Sequence, residues 1–197
     1  MYHTRCDIAR HIRDMPIMPI MKKRLFLAFT LPETLTEQFS LYQQKLAKFE
    51  ELKKLGLRLT AKENLHITLL FLGDCEEDKI GQISGTVKKA CQEIAPFPLE
   101  FSRMEMHRYI WAVYKNSASF EKLKNILEVE LLGTISKKSI IHTTLGRIKR
   151  EGGKIGLPPA GTVDREFTCG KILLFESHLR NNGPVYSIIE AFNLNGK

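Results

Sequence analysis

The chain has few of the residues that build covalent or metal-held scaffolds. Only four of its 197 residues are cysteine: Cys6, Cys75, Cys91 and Cys169. They stand far apart and form no CxxC pair, which excludes a disulfide framework or a zinc motif as the organising device. The same scarcity points to a reducing compartment, so a cytoplasmic location is expected. No apolar run approaches the ~18 residues of a membrane span, and no membrane partner is expected. The run MKKRLFLAFTL at 21–31 opens like a secretory leader. Its apolar core is short, Pro32-Glu33 follows and no small-residue cleavage site is present, so it reads as a buried first strand. Acidic residues are in deficit, 22 against 30 Lys and Arg, leaving a formal charge of +8. A basic surface favours an anionic partner, nucleic acid foremost, although solubility alone also accounts for such a charge.

What is present is ordinary for a globular chain: 43% hydrophobic and 26% charged residues. A chain of this size buries a real core and suits one domain or two small lobes. Residues 1–20 have little periodicity and two prolines near their end. They read as an N-terminal extension open to disorder, with the domain running over 21–197. From Arg24 the pattern is regular. A strand is predicted over 24–30, a helix over 33–51 beginning after Pro32, and a short strand over 57–60. A strand follows over 64–72, ended by Gly73-Asp74, then a helix over 76–94 and a strand over 97–106. The second half repeats the plan, with a strand over 109–114, a helix over 118–132 and a strand over 139–148. A Gly/Pro-rich loop occupies 150–164. Two closing strands over 166–176 and 184–194 are joined through the turn signal NNGP at 181–184.

Both halves carry the same short phrase. His66-Ile67-Thr68-Leu69 lies in LHITLLFLG, and His142-Thr143-Thr144-Leu145 lies in IIHTTLGRIKR. Strand side chains alternate between faces, so each copy sets an imidazole beside a hydroxyl, away from its most apolar neighbours. One such copy says almost nothing, because a strand histidine is usually structural. Two copies at matching places, 76 residues apart (142 − 66), suggest an internal duplication with halves of about 21–106 and 107–197. The expected fold class is α+β. It is bilobal, with two pseudo-twofold-related antiparallel sheets, helices on their outer faces and a central cleft. Two histidines and two threonines around one cleft equip it for in-line attack at a phosphate, with a base, an acid and donors for the non-bridging oxygens. No third ligand accompanies the histidines, so neither a metal nor a cofactor is expected.

The segments KRLFLAFTLPE, ENLHITLLFLG, YIWAV, HTTLGR and ILLFESHLRNNGPVY, in that order, resemble the 2H phosphoesterase superfamily. Within it they resemble the RNA 2′,3′-cyclic phosphodiesterase, or 2′-5′ RNA ligase-like, branch. The resemblance covers about residues 22–194. It implies a metal-free cleft in which RNA ending in a 2′,3′-cyclic phosphate is opened to a 2′-phosphomonoester, with 2′-5′ joining as the reverse reaction. It further implies that His142 accepts a proton from water, that His66 donates one to the departing 3′ oxygen, and that Thr68, Thr144 and Arg147 hold the phosphate. The residues alone leave open which histidine is the acid. Arg147 stands an odd number of residues from Thr144, so strict alternation sends it to the wrong face unless a bulge re-aims it or its long side chain reaches round. Thr143 departs from the family pattern, in which an aliphatic residue is more usual.

Tyr109, Trp111, Phe71 and Tyr186 are candidates for stacking on RNA bases, with Trp111 expected to pack. His3, His11, His107 and His178 receive no role. A monomer acting on an RNA end is the expected assembly. Competing readings keep the site and change the substrate to a 2′-5′ oligonucleotide or a small cyclic nucleotide, or make the cleft a non-catalytic RNA-end clamp.

Overall fold

The computed structural model describes residues 21–136, 139–150, 155–161, 163–180 and 183–196. The extension 1–20, with Cys6, and Asn181 and Asn182 of the NNGP turn lie outside them. The order of elements is β1 (Lys22–Thr30), α1 (Glu33–Lys48), α2 (Glu50–Lys54), β2 (Arg58–Leu59), β3 (His66–Glu76), α3 (Ile80–Gln92), β4 (Phe97–Met106), β5 (Tyr109–Tyr114), α4 (Ala118–Leu132), β6 (His142–Arg147), β7 (Glu166–Cys169), β8 (Lys171–Arg180) and β9 (Gly183–Asn193).

The apolar alternation of these strands builds a curled antiparallel sheet in the order β7-β4-β5-β6-β3-β1-β8-β9, with β2 added on β6. It consists of two four-stranded lobes, β3-β1-β8-β9 and β6-β5-β4-β7. They meet edge to edge through one residue pair, Ile67 with Thr143. The helices cover one face. Leu35, Phe39 and Leu46 of α1, Val87 and Ala90 of α3, and Phe120, Leu123 and Leu127 of α4 share a core with Leu25, Leu27, Phe29, Ile67, Leu69, Ile110 and Leu145 of the sheet. Each fully buried Leu or Phe contributes roughly 1.5–3 kcal/mol, so this face carries most of the folding energy. The opposite face has its own small cluster of Phe26, Ala28, Leu173 and Phe175, with Tyr186 packed on it. That second face bears the histidines.

The lobes do not coincide with the sequence halves. β4 belongs to the first half by sequence yet pairs with β5 of the second. Only His107 and Arg108 separate the two strands, so hairpin closure is the least costly pairing available to them. The closing hairpin β8–β9 then fills the free edge of β1. The closing strand predicted over 166–176 is interrupted at Gly170, with β7 pairing to β4 and β8 to β1. The first histidine strand does not end at Gly73-Asp74. Gly73 adopts φ +73, a conformation glycine takes at no steric cost, and the strand continues to Glu76. The helix predicted over 33–51 breaks at Phe49, whose backbone is extended.

Candidate active site

The site begins at the seam between the lobes. Ile67 and Thr143, paired across β3 and β6, are both fully buried toward the helices. Alternation then turns His66 and Thr68, and His142 and Thr144, to the other face, where all four are half-buried. Antiparallel register sets His66 across from Thr144 and Thr68 across from His142. The two motifs therefore interleave, and the structure brings together the four residues that the sequence pointed to.

Each imidazole is held in the same way. His66 Nδ1 lies 2.7 Å from the carbonyl oxygen of Asn64, and His142 Nδ1 lies 2.8 Å from that of Ile140. A carbonyl only accepts, so each Nδ1 must carry a proton and each Nε2 is left for chemistry. His66 Nε2 lies 3.1 Å from the Thr68 hydroxyl. Burial lowers the pKa of both histidines, against the pull of the backbone carbonyl, and the charge of His142 lowers that of His66 further. Charge on one imidazole opposes charge on the other, so the pair favours one proton over two.

A second repeated feature is hidden in the strand register. Along β1 and β3, Leu27 pairs with Leu70 and Ala28 with Thr68, leaving Leu69 bulged. Along β5 and β6, Ile110 pairs with Gly146 and Trp111 with Thr144, leaving Leu145 bulged. Both bulges stand three residues after the histidine. Each advances the alternation by one, so the residue five after each histidine returns to the histidine face. On β6 that residue is Arg147, exposed, with its guanidinium carbon 5.7 Å from the Tyr109 ring centroid. On β3 it is Phe71, 66% exposed and packed beside Phe26 at 5.9 Å.

The bulge on β6 is supported by residues that the repeat did not reveal. The Leu145 carbonyl accepts from Gln43 Nε2 at 2.8 Å and from the Thr60 amide at 3.0 Å. Gln43 is a buried polar residue on α1, and its position in the helical stripe is the one available sequence signal. Gly146 is required by close approach, since a Cβ there would lie 3.1 Å from the Arg58 carbonyl oxygen. Thr143, the departure from the family pattern, bonds the Tyr114 hydroxyl at 3.1 Å inside the core.

The aromatic surroundings differ. His66 sits among Phe26 at 5.2 Å, Tyr186 edge-on at 5.4 Å and Phe175 at 6.3 Å. His142 has Trp111 at 4.1 Å, which in turn stacks on Tyr109 at 6.0 Å. His107 and His178 lie apart from this group, paired with Glu105 and with Ser187 and Glu176.

Comparison with known proteins fits this geometry. A sequence profile described as LigT like Phosphoesterase matches residues 29–107. A Methanocaldococcus jannaschii protein named RNA 2′,3′-cyclic phosphodiesterase is 33% identical over 182 residues, spanning 86% of this chain and 99% of its own. The chain belongs to the LigT-like phosphoesterase family. A Methanothermobacter thermautotrophicus relative of the same name is 28% identical to this LigT-like phosphoesterase, across 88% of the chain and all of the relative. Among solved structures, a Thermus thermophilus protein superposes with a TM-score of 0.71 at 28% identity, covering 88% of this chain and 99% of that one. The apo form of Escherichia coli LigT superposes at 0.74 with 22% identity over 88% and 98%, a likeness of fold. Among the described residues of the LigT-like chain, no helix is long and apolar enough to cross a membrane.

Proposed function

We propose that this phosphoesterase hydrolyses RNA ends bearing a 2′,3′-cyclic phosphate to 2′-phosphomonoesters. The carrying observation is the interleaving of two histidine–threonine pairs on one face at the Ile67–Thr143 seam. Relatives of the same name at 24–33% identity favour this substrate.

In this reading His142 Nε2 accepts a proton from a water molecule whose oxygen attacks phosphorus. The P–O3′ bond breaks, and His66 Nε2–H donates its proton to the departing 3′ oxygen. Thr68 and Thr144 donate hydrogen bonds to the non-bridging oxygens, and Arg147 offsets the charge that builds there. Phe71, exposed on the same face, offers a plane for the terminal base. Both proton transfers are met by imidazoles, so the proposed reaction proceeds without a metal or cofactor. Among the described residues, no three His, Cys, Asp or Glu side chains cluster in reach of one ion. End joining through a 2′-5′ bond is the same displacement reversed. The working unit is taken to be the monomer of residues 21–197, in a reducing cytoplasm.

The test is EDTA-treated protein with a short RNA carrying the cyclic end, followed by identification of the product ends. A 2′-phosphate is expected. His66→Ala and His142→Ala are each expected to lower turnover by about 10³-fold or more with the fold retained. Near-normal turnover in either variant would overturn the reading. A 3′-phosphate product would reverse the leaving group and the two histidine roles.

A further inference from the structure

The general base of a hydrolysis gains a full positive charge as the reaction proceeds. Such a histidine is often steadied by a carboxylate, but among the described residues no acidic side chain lies within ion-pair distance of His142. Its Nδ1–H is spent on the Ile140 carbonyl. What faces the ring is the indole of Trp111, with centroids 4.1 Å apart and planes 30° from parallel. The Trp111 ring lies against Tyr109 with planes only 9° apart, and the Arg147 guanidinium carbon lies over the Tyr109 ring at 5.7 Å. Arg147, Tyr109, Trp111 and His142 thus form one run of successive ring contacts along β5 and β6. The Trp111 Nε1 is buried and has no hydrogen-bond partner among the described residues, although a buried indole N–H usually finds one. Among the described residues the indole thus meets Tyr109 and His142 through its ring, while its N–H meets no acceptor.

We propose that Trp111 is a positioning residue that stabilises the imidazolium forming on His142 during water activation. This rests on the reading of His142 as the base. Tryptophan presents the most negative ring face among the side chains, and cation–π attraction grows as water is displaced, which the half-burial of His142 does in part. The attraction is absent while His142 is neutral and present once it has taken the proton, so it acts on the barrier and not on substrate binding. His66 has no equally close counterpart, because its three aromatic neighbours, none of them a tryptophan, lie at 5.2–6.3 Å. The ionisable groups that face His142 are His66 from β3, Arg147 farther along its own strand, and the Tyr109 phenol one ring beyond Trp111 on β5. None of them is a carboxylate, so the indole face joins the Ile140 carbonyl as the partner of the charged ring. Burial depresses the His142 pKa, and the hydrogen bond to the Ile140 carbonyl opposes that depression.

The chain supplies its own probe, since Trp111 is its single tryptophan. An imidazolium in contact quenches indole emission, so wild-type fluorescence should fall as His142 protonates and should stay flat in His142→Gln. The titration of His142 is then followed by NMR, without substrate, in wild type, Trp111→Phe and Trp111→Leu. The leucine variant should titrate about one pH unit lower, and the phenylalanine variant should fall between. On the cyclic-end RNA, Trp111→Leu should lose about tenfold in kcat with KM held, and the acidic limb of kcat/KM should move down with the NMR midpoint. An unmoved His142 titration in a folded Trp111→Leu protein overturns the proposal, as does a rise in KM with kcat unchanged. The outcome is separable from that of the proposed reaction. If His142→Ala stayed active while Trp111→Leu shifted the titration, the catalytic assignment would fall and the indole–imidazole coupling would stand.

Discussion

The two histidine strands share a frame and differ in what fills it. In both, the carbonyl two residues before the histidine fixes the tautomer, and a threonine follows on the same face. In both, a bulge three residues on swings a fifth residue back to the cleft. At that fifth position one strand carries Phe71 and the other Arg147. One imidazole sits in a box of Phe26, Phe175 and Tyr186, while the other lies on a row that ends in a guanidinium. In the proposed reaction the difference means that the repeat supplies the proton carriers and that the neighbours divide the substrate between them. The apolar lobe is suited to a base and the cationic lobe to a phosphate.

Exchanging or deleting the fifth residues should break that division. Arg147→Ala removes a cation from the developing phosphate charge and should cost about 10²–10³-fold in kcat. Phe71→Ala removes a stacking plane and should raise KM for an RNA end about tenfold, with kcat largely held. Steady-state kinetics on one cyclic-end oligomer separates them. If Phe71→Ala lowered kcat and left KM alone, the lobes would not divide the substrate in this way.

Much of this was legible in the sequence, and the reason is periodicity. The faces of His66, Thr68, His142 and Thr144 follow from alternation alone, and α1 starts after Pro32 where its apolar spacing starts. The bulge was one of two ways to rescue Arg147, but choosing it needed the register against β5. Gly146 hints at that bulge only once the close approach of β2 is seen. The exchange of strands between halves had one mark in the sequence, the short gap between the strands predicted over 97–106 and 109–114, set against a repeat that suggests two self-contained halves. It is settled by the two-residue link to β5. Gln43 looked like an ordinary helix residue, since its partners are backbone groups 17 and 102 residues away.

The pH profile sharpens the comparison next. Both histidines are depressed by burial, and His66 is depressed further by His142. In the proposed reaction the acid, His66, must start protonated, so in the free enzyme the active form should be lost as pH rises through a pKa that lies below the ordinary 6.5. A bound phosphate anion between the rings favours the imidazolium and raises that pKa again. The optimum of kcat should therefore lie at higher pH than that of kcat/KM. Coincident optima would mean that the substrate charge does not reach His66.

The smallest expected effect concerns the seam itself, where the strands present different residues to one core. Ile67 meets Thr143, and both are fully buried. The Thr143 hydroxyl is matched to the Tyr114 hydroxyl at 3.1 Å, and burial raises the Tyr114 pKa well above the phenol's ordinary 10.0. Thr143→Val would make the seam aliphatic on both sides while leaving a buried phenol without its partner, at a cost of about 1–3 kcal/mol. Tyr114→Phe in the same chain removes the orphaned group, so the double variant should regain most of that loss. Denaturant unfolding of the four proteins measures the coupling. Activity should hardly change, because the hydroxyl points to the helices while the histidines point to the cleft. A double variant no more stable than Thr143→Val would show that the threonine is retained for its packing and not for its bond to Tyr114.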